Sequence, residues 1–287
     1  MGSDAVSFSM KHVKLLFIAL TASTYSFSSA FAGQVPLWEA GAGVAGIDFP
    51  HYRGSNERSA YLLPVPFLIY RGDILKVDRQ RVRGLFLHND HAELDVSMNG
   101  SVPVKHNVAR QGMPDLDPTL EIGPSLNLHL YQTKSNEARL ELRLPVRSVI
   151  ASDFSYLHDV GWLFQPVLNL DVDDVFDQKG WNLGMGIGPI FTDRRYNQYF
   201  YGVDARFESL PDRPAYAASG GYAGSQFVAA LTRRFPKKWL SGFVKWDNLR
   251  GAVFEDSPLV KSKESVTAGF ALTWVFSEST IQVAEDK

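Results

Sequence analysis

The chain has 287 residues, a formal net charge of -2 and no cysteine. Near-neutrality without a basic cluster leaves no electrostatic footprint for nucleic acid. A chain without thiols has no disulfides, no thiolate metal site and no cysteine nucleophile.

Lys11, His12 and Lys14 precede an apolar run from Leu15 to Leu20, and Ala30-Phe31-Ala32 supplies a small-x-small pattern before Gly33. This predicts a secretory signal peptide over residues 1–32, with Met10 as an alternative start. No later segment is an uninterrupted apolar run of about 18 residues, so a helical span after Gly33 is not expected. An exported chain of this kind enters a membrane only as a closed barrel, because strand edges cannot stay unpaired in lipid.

Leu37 to Gly46 alternates Trp38, Ala40, Ala42 and Val44 with Glu39, Gly41 and Gly43, which predicts a first strand. A turn-rich loop over Ile47 to Ser59 leads to a second strand, Ala60 to Tyr70. Pro64 and Pro66 share one face of that strand and predict a local distortion there. Arg71-Gly72-Asp73 reads as a plain tight turn rather than a recognition motif. Ile74 to Asp78 and Arg81 to His88 are weaker strands. His91 to Asn99 alternates clearly, with Ala92, Leu94, Val96 and Met98 against Glu93, Asp95 and Ser97.

After a polar loop from Gly100 to Pro118 comes the strongest signal, Thr119 to Ile150. Leu120, Ile122, Leu126, Leu128 and Leu130 oppose Glu121, Gly123, Ser125, Asn127 and His129. After a break, Leu140, Leu142, Leu144 and Val146 oppose Arg139, Glu141, Arg143 and Arg147. Soluble strands average about five or six residues, whereas membrane-barrel strands need about nine to eleven and carry this contrast between faces. With the turn centred near Lys134, pairing would set His129 opposite Arg139, Asn127 opposite Glu141, Ser125 opposite Arg143 and Glu121 opposite Arg147. The result would be a luminal charged ladder bracing the wall.

Asp159 to Val172 and Trp181 to Thr192 form the next pair, followed by a large Tyr- and Arg-rich loop from Asp193 to Ser219. Gly220 to Arg234 and Trp239 to Asn248 are joined by a short turn, and Leu249 to Lys263 is another long loop. The last strand, Ser265 to Phe276, places Val266, Ala268, Phe270, Leu272, Trp274 and Phe276 on one face. Gly269, Leu272, Trp274 and Phe276 read as the barrel-insertion signal, with Ser277 to Lys287 left as a periplasmic tail.

These segments predict an all-β, closed antiparallel transmembrane barrel over residues 33–276. Twelve strands are expected, or ten if Ile74 to His88 is irregular. Alternation alone cannot tell inside from out, and a soluble sandwich or lipocalin-like barrel would also alternate. Short inner turns against long outer loops, tryptophans near strand ends and an aromatic last strand favour the membrane.

The sequence resembles the MipA/OmpV family of Gram-negative outer-membrane proteins through Tyr52-Arg53-Gly54, Leu63-Pro64-Val65-Pro66, Tyr70-Arg71-Gly72, Asp117 to Pro124, Tyr201-Gly202-Val203 and Asp256 to Val260. The resemblance implies an outer-membrane scaffold or interaction protein that brings a lytic transglycosylase together with a murein synthase. It supplies no catalytic residues. A passive pore for small solutes and a surface adhesin working through the outer loops are the alternatives.

Enzymatic chemistry, cofactors and metals are not expected. Asp171, Asp173, Asp174 and Asp177 lack the glycine and terminal glutamate of a calcium loop and read as a solvated turn. Ser125, Asn127 and His129 share a face, but it is the charged, luminal one, where acyl chains do not arrive. The seven histidines show no zinc spacing. Oligomeric state is not legible.

Overall fold

The structure is a computed structural model that describes residues 34–71, 75–77, 82–84, 87–89, 91–133, 137–153, 156–209 and 211–284. The leader assigned to residues 1–32 and most of the Arg71-Gly72-Asp73 turn lie outside the described residues.

In chain order the described strands are β1 (Gln34–Pro36), β2 (Trp38–Pro50), β3 (Arg58–Arg71), β4 (Leu75–Val77), β5 (Val82–Gly84), β6 (Leu87–His88), β7 (Ala92–Ser101), β8 (Thr119–Gln132), β9 (Ala138–Ser152), β10 (Leu157–Phe164), β11 (Val167–Val172), β12 (Trp181–Thr192), β13 (Gly221–Phe235), β14 (Lys238–Asn248), β15 (Glu264–Glu278) and β16 (Gln282–Ala284). One helix, α1 (Arg194–Tyr201), lies between β12 and β13. A single antiparallel path runs β5-β4-β3-β2-β15-β14-β13-β12-β10-β9-β8-β7-β6, with β11 continuing β10 between β12 and β9. Its two ends come together where β5 lies beside β7. Counting β5 with β6, and β10 with β11, as interrupted single passes gives twelve passes among the described residues.

Side-chain exposure settles which face is which. Along β8, Leu120, Ile122, Leu126 and Leu130 are exposed, while Thr119, Glu121, Ser125 and Asn127 are buried. β15 likewise turns Val266, Phe270 and Phe276 outward and Thr267, Thr273 and Val275 inward. A soluble barrel would bury its apolar face and wet its polar one. This wall does the reverse, as lipid requires.

Several expectations are corrected. β3 is continuous despite Pro64 and Pro66, in unbroken register with β2 from Trp38↔Tyr70 to Pro50↔Arg58. On its other edge the described partners of β3 reach only Tyr70 and Arg71, so the missing proline N–H groups break no described ladder. In the opening hairpin, His129 faces Glu141 and Asn127 faces Arg143, not Arg139 and Glu141. The pairing of the described residues is shifted by two, with an irregularity between His129 and Tyr131. The connection after β9 is short, because β9 extends to Ser152 and β10 begins at Leu157. Gln165 and Pro166 interrupt what alternation reads as one strand over 159–172.

The end of the chain also differs from a free tail after Phe276. Ser277 and Glu278 still pair with Ala40 and Glu39 of β2. Beyond them β16 folds back and pairs antiparallel with β1, Gln34↔Ala284 to Pro36↔Gln282. Leu37 N–H donates to Ile281 O at 2.9 Å and Ser279 N–H to Trp38 O at 2.9 Å, fixing the ribbon against the barrel's inner end.

Tryptophan placement is mixed. Trp162 and Trp246 face outward, whereas Trp239 is 3 % exposed and turns into the lumen against Phe67, Ile69 and Val275. Its ring lies 6.2 Å from that of Phe67, and the Arg234 guanidinium sits 4.7 Å from its centroid. Beside it Glu39, 2 % exposed, accepts from Arg71 Nη2 at 2.5 Å and Arg234 Nη2 at 3.1 Å. The inner end of the lumen is therefore filled by a small aromatic core under a paired carboxylate. Trp239→Ala should lower the unfolding free energy of the refolded barrel by about 3–5 kcal/mol, measured by guanidinium denaturation in vesicles, with Trp246→Ala costing less.

Candidate functional site at the outer mouth

The outer end is where the chain departs most from a bare wall. Residues 51–57, 102–118, 193–220 and 249–263 connect strands there, and they fold onto one another instead of standing into solvent. Tyr52, Val104, Leu116, Phe200, Tyr201, Leu249, Ala252 and Phe254 form one buried cluster with Val149, Ala151, Val160 and Leu163 of the wall. Tyr201 and Phe254 stack with centroids 3.7 Å apart and planes 8° from parallel.

Hydrogen bonds tie the loops crosswise. Tyr52 OH donates to Leu259 O at 2.8 Å, Tyr201 OH to Arg53 O at 3.0 Å, and Ser257 Oγ to Tyr201 O at 2.7 Å. Arg110 Nη1 donates to Phe200 O at 3.0 Å, and Asp117 N–H to Tyr199 Oη at 2.9 Å. Each loop is held by at least one other, so together they make a roof over the barrel.

α1 places the aromatics of that roof. The large loop from Asp193 is only partly irregular, and the helix within it is missed by a strand-period reading. Its signals are present in the sequence, since Asp193 is an N-cap whose carboxylate accepts from Tyr196 N–H at 2.9 Å. Tyr196, Asn197, Phe200 and Tyr201 then follow at helical spacing on the inward face. Asn197 is fully buried, accepting from Thr192 Oγ1 at 2.7 Å and donating to Ser219 O at 2.7 Å. Gly161, at φ 130°, lets the cap approach: a Cβ there would meet Asp193 Oδ1 at 2.2 Å.

Beneath the roof a polar chain runs along the inner face of the wall, from β8 through β9 and the break before β11, over β12, to β13 and β14. Arg147 of β9 makes an ion pair through Nε with Glu121 Oε2 of β8 at 3.1 Å. It also donates through Nη2 to Gln165 Oε1 at 2.6 Å. Gln165 Nε2 donates to Gln226 Oε1 at 3.0 Å, and Gln226 Nε2 to Asp247 Oδ1 at 3.0 Å. Arg53, descending from the first outer loop, closes the chain on Asp247 Oδ1 at 2.9 Å. The link from Gln165 to Gln226 passes over β12, where Gly188 pairs with Gln226 and offers no side chain to obstruct it. Asp247 is 1 %, Arg147 4 % and Gln165 5 % exposed. In a water-filled channel inward polar groups are wet; here those of the chain are buried and bonded mainly to one another.

The ladder residues expected from sequence all lie on the inward face, but they divide between two levels. Glu121 and Arg147 meet as a diagonal pair in the polar chain near the outer rim. His129 Nε2 stands 3.8 Å from Glu141 Oε1, Arg143 Nη2 bonds Glu141 Oε2 at 2.8 Å and reaches Asp171 Oδ2 at 3.4 Å, and Arg139 faces Asp173 at 3.6 Å. Asp171 and Asp173 thus serve arginines of β9, while Asp174 accepts from Gly180 N–H at 2.6 Å. Ser125 Oγ donates to Asn127 Oδ1 at 2.8 Å. Of the residues expected to form the insertion signal, Leu272, Trp274 and Phe276 lie on the outward face of β15, and Gly269 lies inward beside the Phe243 ring. Tyr52, Arg53, Gln165, Gln226, Asp247 and Phe254 are sites that strand periodicity does not single out.

A membrane-spanning antiparallel barrel with a lipid-facing apolar wall, a closely packed inner face and a roofed outer mouth defines an outer-membrane β-barrel protein. The sequence model of the family described as “MltA-interacting protein MipA” matches residues 42–276. The chain belongs to that family, and its place is the outer membrane. Among solved structures it is similar to the NanC porin (8 % identity, 82 % of this chain and 99 % of that one, TM-score 0.40). It is also similar to an outer membrane channel from Pseudomonas putida F1 (10 % identity, 88 % and 100 %, TM-score 0.43) and to a bacterial polysaccharide outer membrane secretin (7 % identity, 83 % and 99 %, TM-score 0.41). No curated protein is a significant sequence match.

Gly161→Ala should loosen α1, at a cost of about 1–3 kcal/mol for the strained backbone alone, seen as faster protease cleavage within residues 193–220 on intact cells. The Tyr52 phenol is pushed up to about 12 by burial, with Arg110 opposing. A raised folded value means its contribution is complete below the ordinary value of 10 and is lost as pH rises through about 12. Tyrosinate absorbance of Tyr52 should therefore emerge above that of an exposed tyrosine, together with opening of the roof.

Proposed function

We propose that this barrel is a non-catalytic scaffold or interaction protein of the Gram-negative envelope, working through its ends rather than through passage of solute. The observation that carries the reading is the close packing of the inner face: the polar chain from Glu121 to Asp247 and the Trp239 core leave their own side chains nearly inaccessible at two levels. A pore needs a wet interior; a scaffold does not.

The proposed partners are those the family resemblance implies, a lytic transglycosylase and a murein synthase; the family's description itself names MltA alone. Short inner turns offer such enzymes little to hold, but two features extend the inner end. One is the ribbon of β1 and β16. The other is the turn after β11, where Phe176 is 74 % exposed at φ 65°, a left-handed conformation that is costly for a bulky residue and kept where the surroundings impose it.

Affinity purification from envelope extracts should recover both murein enzymes with the native chain, and less of them with Phe176→Gly, which also relieves the turn. The same protein in planar bilayers should show little or no single-channel conductance. Failure to recover any murein enzyme together with clear conductance would replace this reading by a passive pore. Recovery of host-surface ligands by intact cells, without murein enzymes, would favour an adhesin.

A further inference from the structure

Under the roof lies a cavity of about 190 Å³, with a rim that includes the exposed Gly100 and Ser101 at the outer end of β7. Its walls are of two kinds. Ile47, Phe49, Phe200 and Phe243 supply apolar surface, and Arg53, Lys245, Glu121 and Asp247 supply charge.

The charges do not cancel. Glu121 is met by Arg147, which is inward-facing but does not line the cavity, and by Asn99 Nδ2 at 3.2 Å. Asp247 accepts from Arg53 Nε and Gln226 Nε2. Among the described residues Lys245 makes no hydrogen bond: its ammonium stands 4.0 Å from Asp247 Oδ2, while the two donors to that carboxylate sit on Oδ1. Arg53 spends only Nε, and its Nη2 is buried without a hydrogen-bond partner. His51 is occupied by Ser59 and Asn107. One positive charge and several N–H donors are therefore in surplus on the wall of a largely apolar hollow. The Lys245 side chain is 30 % exposed, and the buried part of the surplus is the Arg53 Nη2 group; buried charge is normally paired.

We infer that the cavity is a binding site for a small organic carboxylate, with the carboxylate held by Lys245 and Arg53 and an aromatic or aliphatic body against Phe49, Phe200 and Phe243. Size agrees: an apolar protein cavity of roughly 150 Å³ takes up benzene, so this one accommodates a single-ring acid. An inorganic anion would satisfy the charge and leave the aromatic wall unused. A zwitterion would bring a cation to a wall that already holds one in excess.

The test is calorimetric titration of the full, detergent-solubilised barrel with benzoate and with benzamide, its neutral counterpart. Charge-assisted hydrogen bonds contribute about 1.5–3 kcal/mol each, so benzoate should bind at least about tenfold more tightly than benzamide. Lys245→Gln should lose about tenfold in benzoate affinity and leave benzamide unchanged, and Lys245→Arg should keep most of it. Equal affinities for the two probes, no saturable benzoate binding, or an undiminished affinity in folded Lys245→Gln would overturn the assignment. The comparison of probes on the native chain needs no variant, so it decides the matter even where Lys245→Gln fails to fold. The outcome is independent of whether murein enzymes are recovered.

Discussion

A wall one residue thick has two faces and no interior of its own. In this protein lipid takes the apolar face, and the buried polar groups on the other face find most of their partners on neighbouring strands of the wall. The chain from Glu121 through Arg147, Gln165 and Gln226 to Asp247 and Arg53 is the outcome of that constraint. It links neighbouring strands step by step from β8 to β14 and reaches a loop that folds over the mouth.

The roof and the lumen depend on each other through Arg53. Its backbone carbonyl receives the Tyr201 hydroxyl from α1, and its side chain descends to Asp247. An isolated buried carboxylate at Asp247 would be costly, and an isolated loop carrying Tyr52 would have nothing to fold against. Docking the loop provides the cation, and the cation fixes the loop. A barrel built this way has a quiet interior and two specialised ends, which is why the functional reading rests on the ribbon and the Phe176 turn inside and on the cavity outside.

Much of the fold was legible in the residues because a period of two, sustained beyond the length of soluble strands, has few physical explanations. The strands of the long hairpin, the inward placement of Glu121, His129, Arg139, Glu141, Arg143 and Arg147, and the outward face of the last strand all follow from it. Register did not follow, since a shift of two, with an irregularity between His129 and Tyr131, re-pairs the inward side chains. The prolines of β3 misled for a related reason: their cost depends on whether the adjacent edge is paired, and that is a property of the sheet. In the loops the helix α1 had its signals, an Asp193 cap and aromatics at helical spacing, but they were short and set among Arg and Tyr that suit an irregular segment equally well.

By itself, then, the sequence determined what is local or periodic: the long strands, their two faces, most of the long outer connections and the family. The tertiary structure decided what depends on meetings between distant segments. Arg53 and Asp247 are separated by almost the whole barrel in sequence, and nothing in either neighbourhood announces the other. Lys245 reads as one more inward charge until its neighbours are counted in space. Alternation assigns a side chain to a face, but only the closed wall decides which other side chains share the lumen with it, and whether its charge is matched.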